Sequence, residues 1–450
     1  MIAPSVVDDT PDEHDPPAVG IAGPPRHVAA TVLALGIWVF LVAATVIWGR
    51  HLLDSGVRLG IGAAPLAGTF GRRVSRDALI PVAFGAASVA FGPSLASRCS
   101  WRPLLALGAA AAGLWAIALS RIDGARAFAA PFHKTGYLQA ASRIDDPHLF
   151  LSHFVERIHS YSTHVRGHPP GMEIFLWATA RIGLEGVGWN VFLAVAGGAV
   201  AAVAALVALR DVAGERNARA ALPFVVLAPG AIWWSSGDPF FAGVSACAVA
   251  LVVLATGRGG RASDRLAVLG GLLFGATAFL SYGLVLVACI PFGVAAHRRR
   301  LRPLAVAALG AVPVFVAFRL AGFSWFAGLA ATRTQYWLGA AHHRPYSYFV
   351  VADIAAFAFA VGPAAAVAMA RLRDRRIWLL VGGALVAVII ADLSGMSKAE
   401  VERIWLPFVP WVLLATAVFA DGIGRRSLRF WLGLQVASAV LIEMAVRSPW

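Results

Sequence analysis

Two histidines, an arginine and a glutamate stand close together in Tyr161-Ser-Thr-His-Val-Arg-Gly-His-Pro-Pro-Gly-Met-Glu173. The chain around them is nearly all apolar. Polar side chains near lipid are costly, so a cluster of this kind reads as functional. His164 and His168 have the i, i+4 spacing of a helical zinc pair. Gly167 and Pro169-Pro170 disfavour a helix there, however, and no Glu takes the HExxH position, which argues against a zinc peptidase. On a loop fixed by Gly and Pro, Arg166, His164 and His168 suit a phosphate or diphosphate held by charge-assisted hydrogen bonds. Contact of the same residues with lipid headgroups is the plainer alternative.

The acids of the surrounding segment are Asp123, Asp145, Asp146, Glu156, Glu173 and Glu185. Asp123 follows an apolar run almost directly. Asp145-Asp146-Pro147 is a turn or helix start, where either Asp serves as an N-cap or as a general base or cation ligand. A second charged stretch, Ser397-Lys-Ala-Glu-Val-Glu-Arg403-Ile-Trp405, offers Arg403 as a further phosphate ligand. Ser397 and Glu400 there resemble a capping box with an internal Glu–Arg pair. Gly237-Asp238-Pro239 reads as a tight turn on the same side, and Arg333, Tyr336, His342, His343 and Arg344 could line an acceptor path. The pattern requires no cofactor, although the carboxylates could hold a divalent cation.

These residues must be positioned by membrane helices. The chain is 59% hydrophobic and 14% charged, with mean hydropathy +0.73. Apolar runs of span length recur, and the short alternating segments of a barrel are absent. The expectation is an all-α polytopic bundle of about thirteen spans, at 28–48, 78–97, 103–120, 188–209, 220–235, 239–256, 266–281, 283–296, 303–320, 346–370, 377–394, 405–420 and 430–446. Runs 266–281 and 283–296 are short and could form one broken hairpin around Ser281-Tyr282-Gly283. The first 27 residues, acidic and Pro-rich, read as a disordered cytoplasmic tail. Cys99, Cys247 and Cys289 form no disulfide or metal pattern.

The net charge of +14 does not point to nucleic acid, because the arginines fall in short loops after every second span. That alternation places 121–187, 235–238, 321–345 and 395–404 outside the cytoplasm. It also places 49–77 outside, although that loop carries Arg50, Arg58, Arg72, Arg73 and Arg76. The chain thus divides into a tail (1–27), N-terminal spans (28–120), an outer loop of juxtamembrane helices (121–187) and a C-terminal bundle (188–450). Two amphipathic helices are expected in the outer loop, over 147–159 and 172–182.

An aspartate just after an early span, a long outer loop with amphipathic helices, and His-Pro-Pro before a Trp-containing short helix together resemble the GT-C superfamily of membrane glycosyltransferases. Protein-O-mannosyltransferases and lipid A aminoarabinose transferases have a similar loop, ending in a (His/Lys)-Pro-Pro-Leu type motif. The resemblance covers about residues 103–210. It implies transfer of a sugar from a polyprenyl-phosphate donor to a cell-envelope glycan or lipid acceptor, on the non-cytoplasmic face of a bacterial plasma membrane. By position Asp123 matches the family's acidic residue, and His168 with Pro169-Pro170 matches the motif's start. Gly124 replaces a second acid, Gly171 replaces Leu, and two spans precede the matching one. The catalytic carboxylate is therefore expected among Asp123, Asp145 and Asp146, with Arg166, His168, His164 and Arg403 on the donor phosphate. A transporter or lipid flippase is the competing class, weakened by the lack of an internal repeat and by the few charges within spans.

Overall fold

The computed structural model describes residues 26–134, 136–420 and 424–450. All but the last two positions of the expected tail therefore lie outside the described residues. Among the described residues, nine helices are long and apolar enough to cross a membrane. They are α1 (Arg26–Asp54), α2 (Leu79–Arg98), α3 (Trp101–Ser120), α4 (Gly186–Ala213), α5 (Asp238–Thr256), α6 (Gly260–Leu280), α7 (Arg302–Leu320), α8 (Arg375–Leu393) and α9 (Arg425–Ala445). The sheet content among the described residues is one two-residue antiparallel ladder, β1 (Thr69–Phe70) with β2 (Val446–Arg447). The chain is an all-α, multi-pass bundle.

Four of the thirteen expected spans take another form. Residues 346–370 form two helices, Tyr346–Val361 and Pro363–Arg371, which meet at 94°. Gly362 makes that corner at φ 78, a left-handed conformation that suits Gly, and Pro363 starts the next helix. The runs near 220–235, 283–296 and 405–420 break into short α and 3-10 pieces around Pro223, Pro229, Pro291, Pro407 and Pro410. Each proline removes a backbone donor, so these segments need neighbouring protein to satisfy their polar groups. The neighbours are present: Trp411, Leu413 and Leu414 are fully buried inside the bundle.

The centre of the bundle is packed through small residues. A Cβ on Gly243 of α5 would lie 2.7 Å from the Gly197 carbonyl of α4, so the two backbones touch where a side chain would separate them. At one end of the bundle, arginines satisfy helix-terminal carbonyls and the few acids. Arg219 donates to the Ala96 and Cys99 carbonyls at 2.7 and 2.8 Å, and Arg298 meets Asp211 at 2.9 Å.

At the other end, four segments interlock. Arg344 donates to the Leu59 carbonyl (3.0 Å), the Ala67 N–H to Glu402 Oε1 (2.9 Å), and Thr332 to the Arg166 carbonyl (3.0 Å). The arginine-bearing loop 55–78 thus shares this end with 121–185. Arg73 of this loop is used structurally, pairing with Asp123 and donating to the Glu443 and Val446 carbonyls, while Arg50 at the end of α1 lies 5.0 Å over the loop's Phe70 ring.

Candidate functional site

The segment after α3 is a chain of short helical turns, among them Tyr137–Ser142, Pro147–Ser152, Thr163–Arg166 and Gly171–Ala180. The amphipathic helix expected over 147–159 stops at Ser152 and resumes only as a 3-10 turn at Ile158–Ser160. Pro169 and Pro170 end the turn that carries His164, and Pro170 leads into the helix Gly171–Ala180. Two prolines in succession cannot extend a helix, so they fix the separation between His168 and Glu173.

His168 is held from behind. Its Nδ1–H donates to the His164 carbonyl at 2.8 Å and lies 3.1 Å from the Tyr137 hydroxyl. That tautomer leaves the lone pair on Nε2. Burial pushes the imidazole below its ordinary pKa. Burial, reinforced by the charge of Arg403, lowers His164 to about 4. Both rings are neutral near pH 7 and accept protons rather than supply charge.

Arg403 lies between two carboxylates, donating to Asp238 Oδ2 at 2.8 Å and Glu400 Oε2 at 2.6 Å. The Asp238 pair is almost dry, with side chains 6–7% exposed. Asp238 heads α5, where the helix N-terminus favours an anion. Burial opposes the charge on Arg403, but Asp238 and Glu400 outweigh it and hold the guanidinium protonated more firmly than usual.

Arg403 reaches this place from the short helix Val401–Ile404, which is entered through two left-handed residues, Ala399 (φ 72) and Glu400 (φ 62). Such conformations are costly for non-glycine residues and persist where the surroundings over-determine them. Here the Tyr336 hydroxyl accepts the Lys398 N–H (2.9 Å) and Asp353 accepts the Ala399 N–H (3.1 Å). Lys398 Nζ donates to the Ala341 and Arg344 carbonyls at 2.8 and 2.9 Å. The expected Glu400–Arg403 pair forms. The capping box does not, because Ser397 turns to the Ala391 carbonyl.

A lid completes the cluster. The β1–β2 ladder leads the chain back so that the Trp450 indole lies 4.3 Å over Arg403 and meets the His164 ring edge-on at 6.0 Å. Deeper still, the carboxyl of Glu173 is fully buried, and neither oxygen has a hydrogen-bond partner. Burial raises its pKa to about 8, so the acid is neutral at physiological pH.

Of the residues expected to do chemistry, the structure brings together His164, His168 and Arg403. Arg166 shares the turn of His164 but only reaches Thr163 Oγ1, at 3.4 Å, with no carboxylate partner among the described residues. Asp123 stands elsewhere, bound by Arg73 beside Glu443. Asp146 caps the helix Pro147–Ser152 by accepting from the His148 and Leu149 N–H groups at 2.8 and 3.2 Å, and Asp145 is exposed. The carboxylates within the cluster are Asp238 and Glu400. Tyr137 and Trp450 carry no sequence signal, because neither belongs to a local pattern. Among the described residues, no three His, Cys, Asp or Glu side chains are arranged to hold a metal ion.

Neither a protein-family model nor a curated protein matches the chain. Two solved structures are similar in part. One is the Archaeoglobus fulgidus oligosaccharyltransferase in complex with Zn and sulfate, at 14% identity and TM-score 0.38, covering 68% of this chain and 50% of that one. The other is the oligosaccharyltransferase AglB of the same organism, with an inhibitory peptide and a dolichol-phosphate, at 12% identity and TM-score 0.31, covering 68% and 52%. The chain spans about half the length of both.

Proposed function

We propose that the protein is a membrane glycosyltransferase that moves a sugar from a polyprenyl-phosphate donor to a hydroxyl acceptor at the interlocked-loop end of the bundle. One observation carries this reading: the His168 imidazole, its Nδ1 tied to the His164 carbonyl, and the Arg403 guanidinium, held by Asp238 and Glu400, share one polar cluster at the head of α5. In this reaction the bond from the anomeric carbon to the phosphate oxygen breaks, and its electron pair stays on the phosphate. A bond from the acceptor oxygen to the anomeric carbon forms, and the acceptor proton goes to His168 Nε2. Arg166 on the turn of His164, which has no carboxylate partner among the described residues, balances the charge that gathers on the departing phosphate, and Arg403 offers it the unpaired Nε–H. Asp238 and Glu400 hold the guanidinium in place.

On this reading His168 takes the role expected of Asp123, Asp145 or Asp146; Asp123 is occupied by Arg73, Asp146 caps a helix and Asp145 is exposed. The test uses purified protein in liposomes with a short-chain polyprenyl-phosphate sugar and a panel of acceptor glycans and lipids, read by mass spectrometry. His168→Ala should lower turnover by about 100-fold or more, the usual contribution of a positioned general base. Undiminished transfer by that variant would remove the assignment. Movement of intact donor across the bilayer without transfer would favour a flippase.

A further inference from the structure

Away from the polar cluster, the helices α5, α6 and α7 and the segment Tyr282–His297 line an open apolar cavity of about 410 Å³. Val252, Phe274, Cys289, Phe292, Leu304 and Ala308 are among the residues that line it. That volume far exceeds the ~30 Å³ share of one water molecule, and the lining offers water no partners. It can be filled only by hydrocarbon.

The walls explain why the cavity exists. α6 and α7 are closely packed, because a Cβ on Gly271 would fall 2.0 Å from the Ala307 carbonyl. The helix Cys289–His297 leans the other way, onto α8, where a Cβ on Gly383 would lie 2.7 Å from the Ile290 Cα. Among the described residues, none fills the gap between that helix and α7. Phe292 on its rim is 60% exposed, on the side where a membrane would lie.

The turn that joins the two walls is His297-Arg-Arg-Arg-Leu-Arg302. Two of its arginines are committed, Arg298 to Asp211 and Arg302 to Asp264. Arg300 uses one nitrogen on the Arg258 carbonyl at 2.6 Å. Arg299 is exposed and has no ion-pair partner among the described residues, and its backbone is left-handed at φ 53. An apolar cavity whose lining helices are joined by a turn where Arg299 and Arg300 have no ion-pair partner among the described residues complements an anionic phospholipid in shape and charge. Hydrocarbon gains little on moving from bilayer to cavity, so selectivity comes from the headgroup.

We infer that this cavity is a binding site for one anionic phospholipid, its acyl chain between the helix Cys289–His297 and α7 and its phosphate on Arg299 and Arg300. The site is separate from the polar cluster and does not rest on the glycosyltransferase reading.

The experiment is native mass spectrometry of the full chain released from detergent after incubation with equal amounts of phosphatidylglycerol and phosphatidylcholine. One phosphatidylglycerol should be retained in preference to phosphatidylcholine. Arg299→Gln/Arg300→Gln should reduce that preference by at least fivefold, the order expected for an arginine near an anionic lipid surface. Ala308→Phe, at an exposed position on the cavity wall, should expel the lipid, whereas Trp450→Ala in the polar cluster should retain it. Equal retention of the two lipids, or lipid still bound to Ala308→Phe, would overturn the inference. If Ala308→Phe does not fold, the double arginine variant on the exposed turn decides by itself: an unchanged preference refutes the site.

Discussion

The Arg403–Asp238 pair invites a double-mutant cycle. Arg403→Met leaves Asp238 without its cation in a place where both side chains are 6–7% exposed, while Glu400 can turn toward water because 28% of its side chain is accessible. Removing one partner of a dry ion pair costs about 3–5 kcal/mol. The N-terminus of α5 offsets part of this for Asp238, about 0.5–1 kcal/mol, so the expected loss is about 3 kcal/mol. Asp238→Ala is milder, at about 2 kcal/mol, because Arg403 keeps its 2.6 Å bond to Glu400. The double variant removes both charges from the dry region and should lose only about 2 kcal/mol. The difference between the summed single losses and the double loss is then about 3 kcal/mol of coupling, within the range for close charge pairs. Unfolding in mixed micelles, followed by circular dichroism for all four proteins, measures it. Additive losses, with coupling under about 0.5 kcal/mol, would show that the two groups do not depend on each other.

Three further outcomes are expected. Glu173 has a folded pKa of about 8 against an ordinary 4.5, so the folded state binds a proton that the unfolded chain releases. Wild-type stability should therefore fall as pH rises from about 4.5 to about 8 and level off above. Glu173→Gln should flatten that slope and gain up to roughly 4 kcal/mol at pH 8, measured by thermal melts across pH. An unchanged slope would mean that Glu173 is ionised in the folded protein. Ala399→Gly should raise the melting temperature, by about 1 kcal/mol in stability, because it relieves a left-handed alanine at φ 72; a lower melting temperature would count against strain there. Asp123→Asn should weaken the hold on Arg73 by about 1 kcal/mol and leave turnover intact in the transfer assay. Loss of turnover with stability unchanged would return the catalytic role to Asp123.

The spacing of residues showed where polar chemistry gathers but not which groups meet. His164 and His168 were legible because two prolines and a glycine sit beside them in an apolar chain. Arg403 was legible because a charge so near a span needs a partner. The partner was not, because Asp238 lies 165 residues away and its own sequence context reads as a turn. Asp123 looked free for chemistry for the same reason: Arg73, which holds it, comes from a loop whose arginines ran against the charge pattern. The all-α bundle followed from hydropathy alone. The count of full spans did not, since the run 405–420 is as apolar as a span but meets protein on all sides. Hydropathy registers that a residue avoids water and is blind to whether lipid or protein replaces it.

The ladder between β1 and β2 also sets a schedule. Arg73 and the Glu443 carbonyl it binds are 370 residues apart. At about 5–20 residues per second, synthesis separates them by roughly 20 to 75 s. Through that interval the loop 55–78 has neither its strand partner nor its carbonyl acceptors, and Trp450 has yet to cover Arg403. The polar cluster therefore reaches its closed form only after α9 is in place, so the cell makes an open version of this site before every closed one.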